Sequence, residues 1–159
     1  MKWFIKGIRN YVNFSGRARR AEYWNFVLFA TIFTVVFYLV DLLLFGADVL
    51  SGSKLSIFST LFSLFIFLPN LAVSVRRLHD TDRSGKKLMW YYIVVVAWVV
   101  LAILCLVIFM ANIPDLLGVI MGLGFLGILV WAIFFLVWFC TPGTPGDNKY
   151  GPDPKAVTE

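Results

Sequence analysis

The sequence predicts an all-α, polytopic membrane protein: a four-transmembrane-helix bundle with an N-terminal interfacial amphipathic helix. Three observations predict it. The 159 residues are 60% hydrophobic and only 14% charged, a balance outside that of ordinary soluble domains. The apolar residues gather into four runs, each long enough for the roughly 20 helical residues that cross a hydrocarbon core. Nearly all the charge lies between those runs, and the 16 Phe, 6 Trp and 6 Tyr suit lipid-facing helices and the headgroup boundary.

The first element is a basic arm, residues 1–24. A helix from Trp3 to Asn13 places Phe4, Ile8, Tyr11 and Val12 on one side and Lys2, Lys6, Arg9 and Asn13 elsewhere. That is the pattern of a helix lying at a membrane interface. The same stripe suits a helix folded back on the protein's own surface, and both alternatives stand. The arm is too long for an ordinary charged leader, and no small-x-small cleavage site follows Leu42 to Phe45. The first run is therefore expected to stay in the mature chain.

Spans are predicted at 25–45, 55–75, 88–111 and 116–140. Each satisfies its own backbone hydrogen bonds, which lipid cannot do. The short connections at 46–54 and 112–115 predict antiparallel neighbours in an up-down-up-down order.

Four features interrupt these spans. Asp41 is the one ionisable residue well inside a span, but about 25 Å along its helix it is expected to reach water at the outer interface. Pro69, beside Asn70, removes a helical hydrogen bond and predicts a kink. Gly118-x-x-x-Gly122, with Gly124 and Gly127, permits close helix approach, read as packing within the chain in preference to homo-oligomer formation. Cys105 and Cys140 are read as packing residues, since they lack metal-ligand or redox spacing.

Charge sets the direction of crossing. The chain has 14 Lys and Arg residues and a net charge of +5. Among the basic residues only Lys54 lies in the two short connections. The rest lie in the arm, in the loop 76–87 and in the tail 141–159. Basic segments are retained in the cytoplasm, so both termini are expected inside. Basic residues flanking apolar runs do not indicate a nucleic-acid partner.

Three motifs fall on that expected cytoplasmic side. Phe14-Ser15-Gly16-Arg17-Ala18-Arg19-Arg20-Ala21-Glu22-Tyr23-Trp24 leads into the first span with more arginine than topology requires. The loop Arg76-Arg77-Leu78-His79-Asp80-Thr81-Asp82-Arg83-Ser84-Gly85-Lys86-Lys87 mixes both signs of charge with the single histidine. His79 and Asp80 supply too few ligands for a metal and no nucleophile-base pair, so no metal, no cofactor and no enzyme activity are expected. Carboxylates accepting from planar arginine forks are the expected arrangement. The tail, Thr141 to Pro154, is rich in Gly and Pro. Asn148, Tyr150 and Gly151 suit definite turns and a docked aromatic, predicting an ordered coil against the 76–87 loop.

These motifs, Phe14-x-Gly16-Arg17-x-Arg19-Arg20-x-Glu22-Tyr23-Trp24, Arg76-Arg77-Leu78-His79-Asp80-x-x-Arg83-Ser84-Gly85 and Gly143-Thr144-x-Gly146-x-Asn148-x-Tyr150-Gly151-Pro152-Asp153-Pro154, occur in the right order and span nearly the whole chain. In them the sequence resembles the bacterial inner-membrane family of domain of unknown function 805, the YhaH-like proteins. One departure follows Gly85, where the family pattern often has tryptophans and this chain has Lys86-Lys87 before Trp90. The resemblance implies an architecture and carries no activity with it.

The leading functional expectation is a non-enzymatic scaffold whose three motifs form one polar cluster. The candidate residues are Arg17, Arg19, Arg20, Glu22, Arg76, Arg77, His79, Asp80, Arg83, Asn148 and Tyr150, binding anionic lipid headgroups or a membrane-protein partner. The alternative is a small-solute transporter or channel subunit using Asp41, Asn70 and the Pro69 kink. An enzyme acting on lipid or phosphate compounds through His79 ranks lower.

Overall fold

The computed structural model describes residues 1–50, 52, 54–109 and 115–156. Among the described residues six helices follow one another: α1 (Lys2–Arg9), α2 (Arg20–Phe45), α3 (Ala47–Leu50), α4 (Ile57–Asp80), α5 (Lys86–Phe109) and α6 (Asp115–Cys140). Four of them, α2, α4, α5 and α6, are long and apolar enough to cross a membrane. The expected end of the third span at Ala111, and most of the connection after it, lie outside the described residues. The chain divides into two compact units. One holds residues 1–82 and the tail from Pro142, and the other runs from Arg83 to Thr141.

In the first unit α2 and α4 form an antiparallel pair. Phe62 of α4 packs on Phe37 and Phe33 of α2, with ring centroids 4.9 and 6.1 Å apart. The short helix α1 lies across α2, stacking Phe4 on Phe26 at 5.3 Å. The contact is close because residue 7 is glycine: a Cβ there would run into the Phe26 ring. The apolar stripe of the arm is thus used on the protein itself through Phe4, while Ile5 and Val12 remain exposed. The helix also stops earlier than its periodicity predicts. Asn10 donates both its backbone N–H (3.1 Å) and its side-chain amide (2.9 Å) to the Lys6 carbonyl, ending the helical ladder before Tyr11.

Asp41 does not reach water as expected; it is completely buried. Its Oδ1 accepts the Phe58 N–H at 2.9 Å, and its Oδ2 accepts the Ser59 N–H at 2.8 Å and the Ser59 hydroxyl at 2.7 Å. Ser56, at the N-cap of α4, makes no side-chain capping bond. The first-turn donors of a helix need acceptors that lipid does not offer, and a carboxylate on the neighbouring helix supplies them.

The other end of α4 differs from the predicted loop. Arg76 to Asp80 continue the helix, and the connection to α5 shortens to residues 81–85. Leu78 is completely buried within this last stretch, which gives the final turns an apolar reason to stay wound. Thr81 then returns its N–H and hydroxyl to the Leu78 carbonyl, each at 3.0 Å.

In the second unit α5 and α6 pair antiparallel. Tyr91 meets Phe135 and Trp131 edge-on at 5.3 and 5.5 Å, and Trp98 packs on Phe125. Of the glycines expected to pack within the chain, Gly124 does so, against Trp98; a Cβ at Gly118, Gly122 or Gly127 would meet nothing within 4 Å. Cys105 and Cys140 are free thiols.

Candidate functional site

The polar cluster of the first unit is built from three stretches far apart in the chain: residues 15–22 around the start of α2, the last turns of α4, and the tail. Asp80, the final residue of α4, is its centre. Arg17 places Nε 3.1 Å and Nη2 3.0 Å from Asp80 Oδ1. Arg77, one helical turn back, donates Nη1 to Oδ2. Arg17 also donates Nη1 to the Gly146 carbonyl and Nη2 to the Thr144 carbonyl, both at 2.6 Å. Arg77 is completely buried, and Arg17 and Asp80 nearly so. Charges taken this far from water are tolerable only while their partners and hydrogen bonds are intact.

The tail closes over this centre. Thr144 gives its N–H at 2.8 Å and its hydroxyl at 3.2 Å to the Asp80 carbonyl, a terminal helix acceptor that would otherwise lack a donor. Asn148 donates to the His79 carbonyl at 3.0 Å. Tyr150 lies flat on the His79 ring, centroids 3.9 Å apart and planes within 2°, while His79 Nδ1 sits 3.2 Å from the Gly16 carbonyl. Asn148 shapes its own turn, accepting the Tyr150 N–H at 2.9 Å and exchanging backbone bonds with Gly151. At Gly143 a Cβ would collide with the Asp80 carboxylate, so only glycine lets the tail pass. Asp153 accepts the N–H groups of Lys155 (2.9 Å) and Gly146 (3.1 Å). These bonds favour the ionised form and hold its carboxyl below the ordinary 3.8.

A second network lies beside the first. Glu22 is completely buried. Its Oε1 accepts from Arg76 Nη1 at 2.8 Å, and its Oε2 faces the Lys6 ammonium at 3.0 Å in an ion pair that lacks hydrogen-bond alignment. The Ala18 N–H donates to the Arg76 carbonyl at 3.0 Å, tying the two networks together through the backbone. Outside them, Trp3 lies under three cations: Arg19 at 4.1 Å, and Lys2 and Lys6 each at 5.2 Å. Lys2, Ile5, Lys6, Arg9 and Asn10 line an open groove of about 420 Å³ along α1.

Arg17, Arg77, His79, Asp80, Asn148 and Tyr150 therefore meet in the first network, and Glu22 and Arg76 in the second. Arg19 covers Trp3, and Arg20 begins α2 in an exposed position. Arg83 opens the second unit, where it lies 5.1 Å over Trp138 with Lys87 at 4.9 Å. Sequence reasoning missed Lys6, which reads as one more charge on a polar helix face. It missed Ala18 as well, because a backbone donor leaves no trace in side-chain chemistry. Thr144 and Gly143 sat within a noticed motif but had no legible role.

Fold and cluster together define a class: a helical multi-pass membrane protein whose first helix pair carries, at one end, a buried ion-paired clasp closed by the C-terminal tail. Residues 11–152 match the family described as Protein of unknown function (DUF805), and the chain belongs to that family. Relatives in Escherichia coli K12 include the inner membrane protein YhaI, 37% identical over 98% of this chain and 97% of its own length. The inner membrane protein YhaH is 36% identical over 98% of each chain. The uncharacterized protein YiiR is 33% identical over 91% of this chain and 88% of its own. No solved structure matches. The chain is accordingly a multi-pass inner-membrane protein.

Proposed function

We propose that this protein is a non-enzymatic scaffold of the inner membrane, with both termini in the cytoplasm, whose N-terminal arm engages anionic lipid headgroups. The observation that carries this reading is how the charges divide. Arg17, Arg76 and Arg77 are buried and turned onto Asp80 and Glu22, so the role first expected of them, meeting lipid directly, passes to the arm they hold in place. Lys2, Lys6 and Arg9 line the open groove of α1, and the exposed side chains of Met1, Ile5 and Val12 accompany them. Basic residues with adjacent apolar side chains suit a leaflet interface, where each such charge contributes about 1 kcal/mol against anionic lipid.

The clasp then acts as the fixture that sets the arm's height and angle. The test is lipid retention by the full-length protein in nanodiscs of mixed phosphatidylglycerol and phosphatidylcholine. Lys2→Gln with Arg9→Gln is expected to weaken phosphatidylglycerol enrichment by ~2 kcal/mol, leaving thermal unfolding nearly unchanged. Unaltered enrichment in a folded double variant overturns the reading.

A further inference from the structure

The two buried arginines that face a carboxylate through separate networks use their donors differently. Arg17 spends its Nε–Nη2 edge on Asp80 and its remaining nitrogen on a tail carbonyl. Among the described residues Arg76 commits Nη1 alone, to Glu22. Its Nε and Nη2 are buried and have no hydrogen-bond partner among the described residues, although the residue is only 3% exposed. Buried donors of a charged group are seldom left unmade, because the desolvation penalty is then uncompensated.

The geometry of the omission is specific. Nε and Nη2 form one edge of the planar guanidinium, a parallel pair of donors matched to two oxygens of a single phosphate or carboxylate. Local charge agrees: Glu22 is one anion between two cations, Arg76 and Lys6, which leaves one positive charge over. Lys6 also lines the open groove of α1 and is half exposed, its side chain at 48%, so the Glu22 carboxylate links Arg76 to a basic surface.

We propose that the free edge of Arg76 is an oxyanion site that takes two oxygens of a phosphate group, with Lys6 as its second cation. The phosphate comes from an anionic lipid headgroup or from a free phosphate. In its lipid form the site deepens the function proposed above and rests on it. A carboxylate, Glu22, stands at the same site and limits the charge it tolerates, favouring a singly charged phosphodiester over a dianion.

The experiment uses the full-length protein in detergent, titrated with inorganic phosphate, short-chain phosphatidylglycerol and, as a zwitterionic control, short-chain phosphatidylcholine. Phosphate or phosphatidylglycerol is expected to raise the unfolding temperature and to shift the Nε–H resonance of Arg76. Arg76→Lys keeps the charge but removes the fork, and is expected to weaken binding by about tenfold. Tighter binding of phosphatidylglycerol assigns the site to headgroups, and tighter binding of inorganic phosphate assigns it to a free ligand. Should Arg76→Lys fail to fold, the resonance in the unaltered protein decides alone. An Nε–H signal that stays in place at saturating ligand, or no thermal response to either anion, means that water alone meets Arg76 and overturns the site. The two readings fail separately: full phosphatidylglycerol retention in folded Arg76→Lys removes the lipid form of this site and leaves the arm standing, whereas full retention in Lys2→Gln with Arg9→Gln removes the arm and leaves the phosphate response of Arg76 to decide the site.

Discussion

The Tyr11 hydroxyl donates to the Phe65 carbonyl at 2.5 Å, and Phe65 is the residue whose carbonyl loses its helical donor to Pro69. Proline has no N–H to offer four residues back, and inside a membrane a bare carbonyl is costly. The break in α4 expected from Pro69 is thus real at the level of one hydrogen bond, and the arm repairs it from outside the helix. Tyr11 also sets its ring beside Phe65, centroids 5.4 Å apart, which fixes where the chain leaves α1.

This relationship predicts a coupling. Tyr11→Phe is expected to destabilise the protein by ~1–3 kcal/mol, the cost of an acceptor left without a donor where lipid offers none. In a Pro69→Ala background the helix supplies its own N–H, and the same substitution becomes nearly neutral. A double-mutant cycle on thermal unfolding measures the difference; equal losses in both backgrounds would show that the hydroxyl does not stand in for the missing bond.

Asp80 is expected to be the most sensitive position in the clasp. Asp80→Ala leaves Arg17 and Arg77 buried without their carboxylate, and breaking a buried pair in this way costs ~3–5 kcal/mol. Gly143→Ala reaches the same carboxylate from the tail side, and its expected signature is release of the tail with the helices retained. Limited proteolysis after residue 141, read beside circular dichroism, separates the two outcomes.

Asp41→Ala removes three hydrogen bonds at the start of α4 and is expected to cost about 1–2 kcal/mol, the range for losing a helix N-cap. Asp41→Asn keeps an acceptor oxygen and should lose less. Because the carboxylate is committed to capping, solute flux through reconstituted protein is expected to be absent in the unaltered chain and in both variants. Flux that disappears specifically with Asp41→Asn would restore the transport reading.

Orientation has its own test. Fluorescent-protein fusions that mature only in the cytoplasm should light up at either end of the chain, while a periplasm-active phosphatase should work only when inserted at the short connections 46–54 and 112–115. Activity of the phosphatase at the C-terminus would reverse the assignment.

The four spans were legible because hydropathy is a property of contiguous residues, and each run carries its own evidence. The three motifs were legible as chemistry, since arginines and carboxylates gathered beside a membrane must find partners. What stayed hidden depends on pairs. Asp41 looked like a residue near water because its depth along one helix says nothing about the N-terminus of the next. Arg76 to Asp80 looked like loop because charge reads as solvent exposure, whereas Leu78 and the tail bury that end of α4.

The sequence by itself determined that this chain is a membrane protein, which stretches form its four long apolar helices, and that the basic surplus flanks the apolar runs. The tertiary structure alone decided which charges are used up and which remain available. Arg17 meets Asp80 across 63 positions and Gly146 across 129, and the guanidiniums of Arg17 and Arg76 are chemically the same group. Among the described residues one has both edges filled and the other has one edge without a hydrogen-bond partner, because packing at the end of α4 places a carboxylate and the tail around the first and Glu22 beside the second.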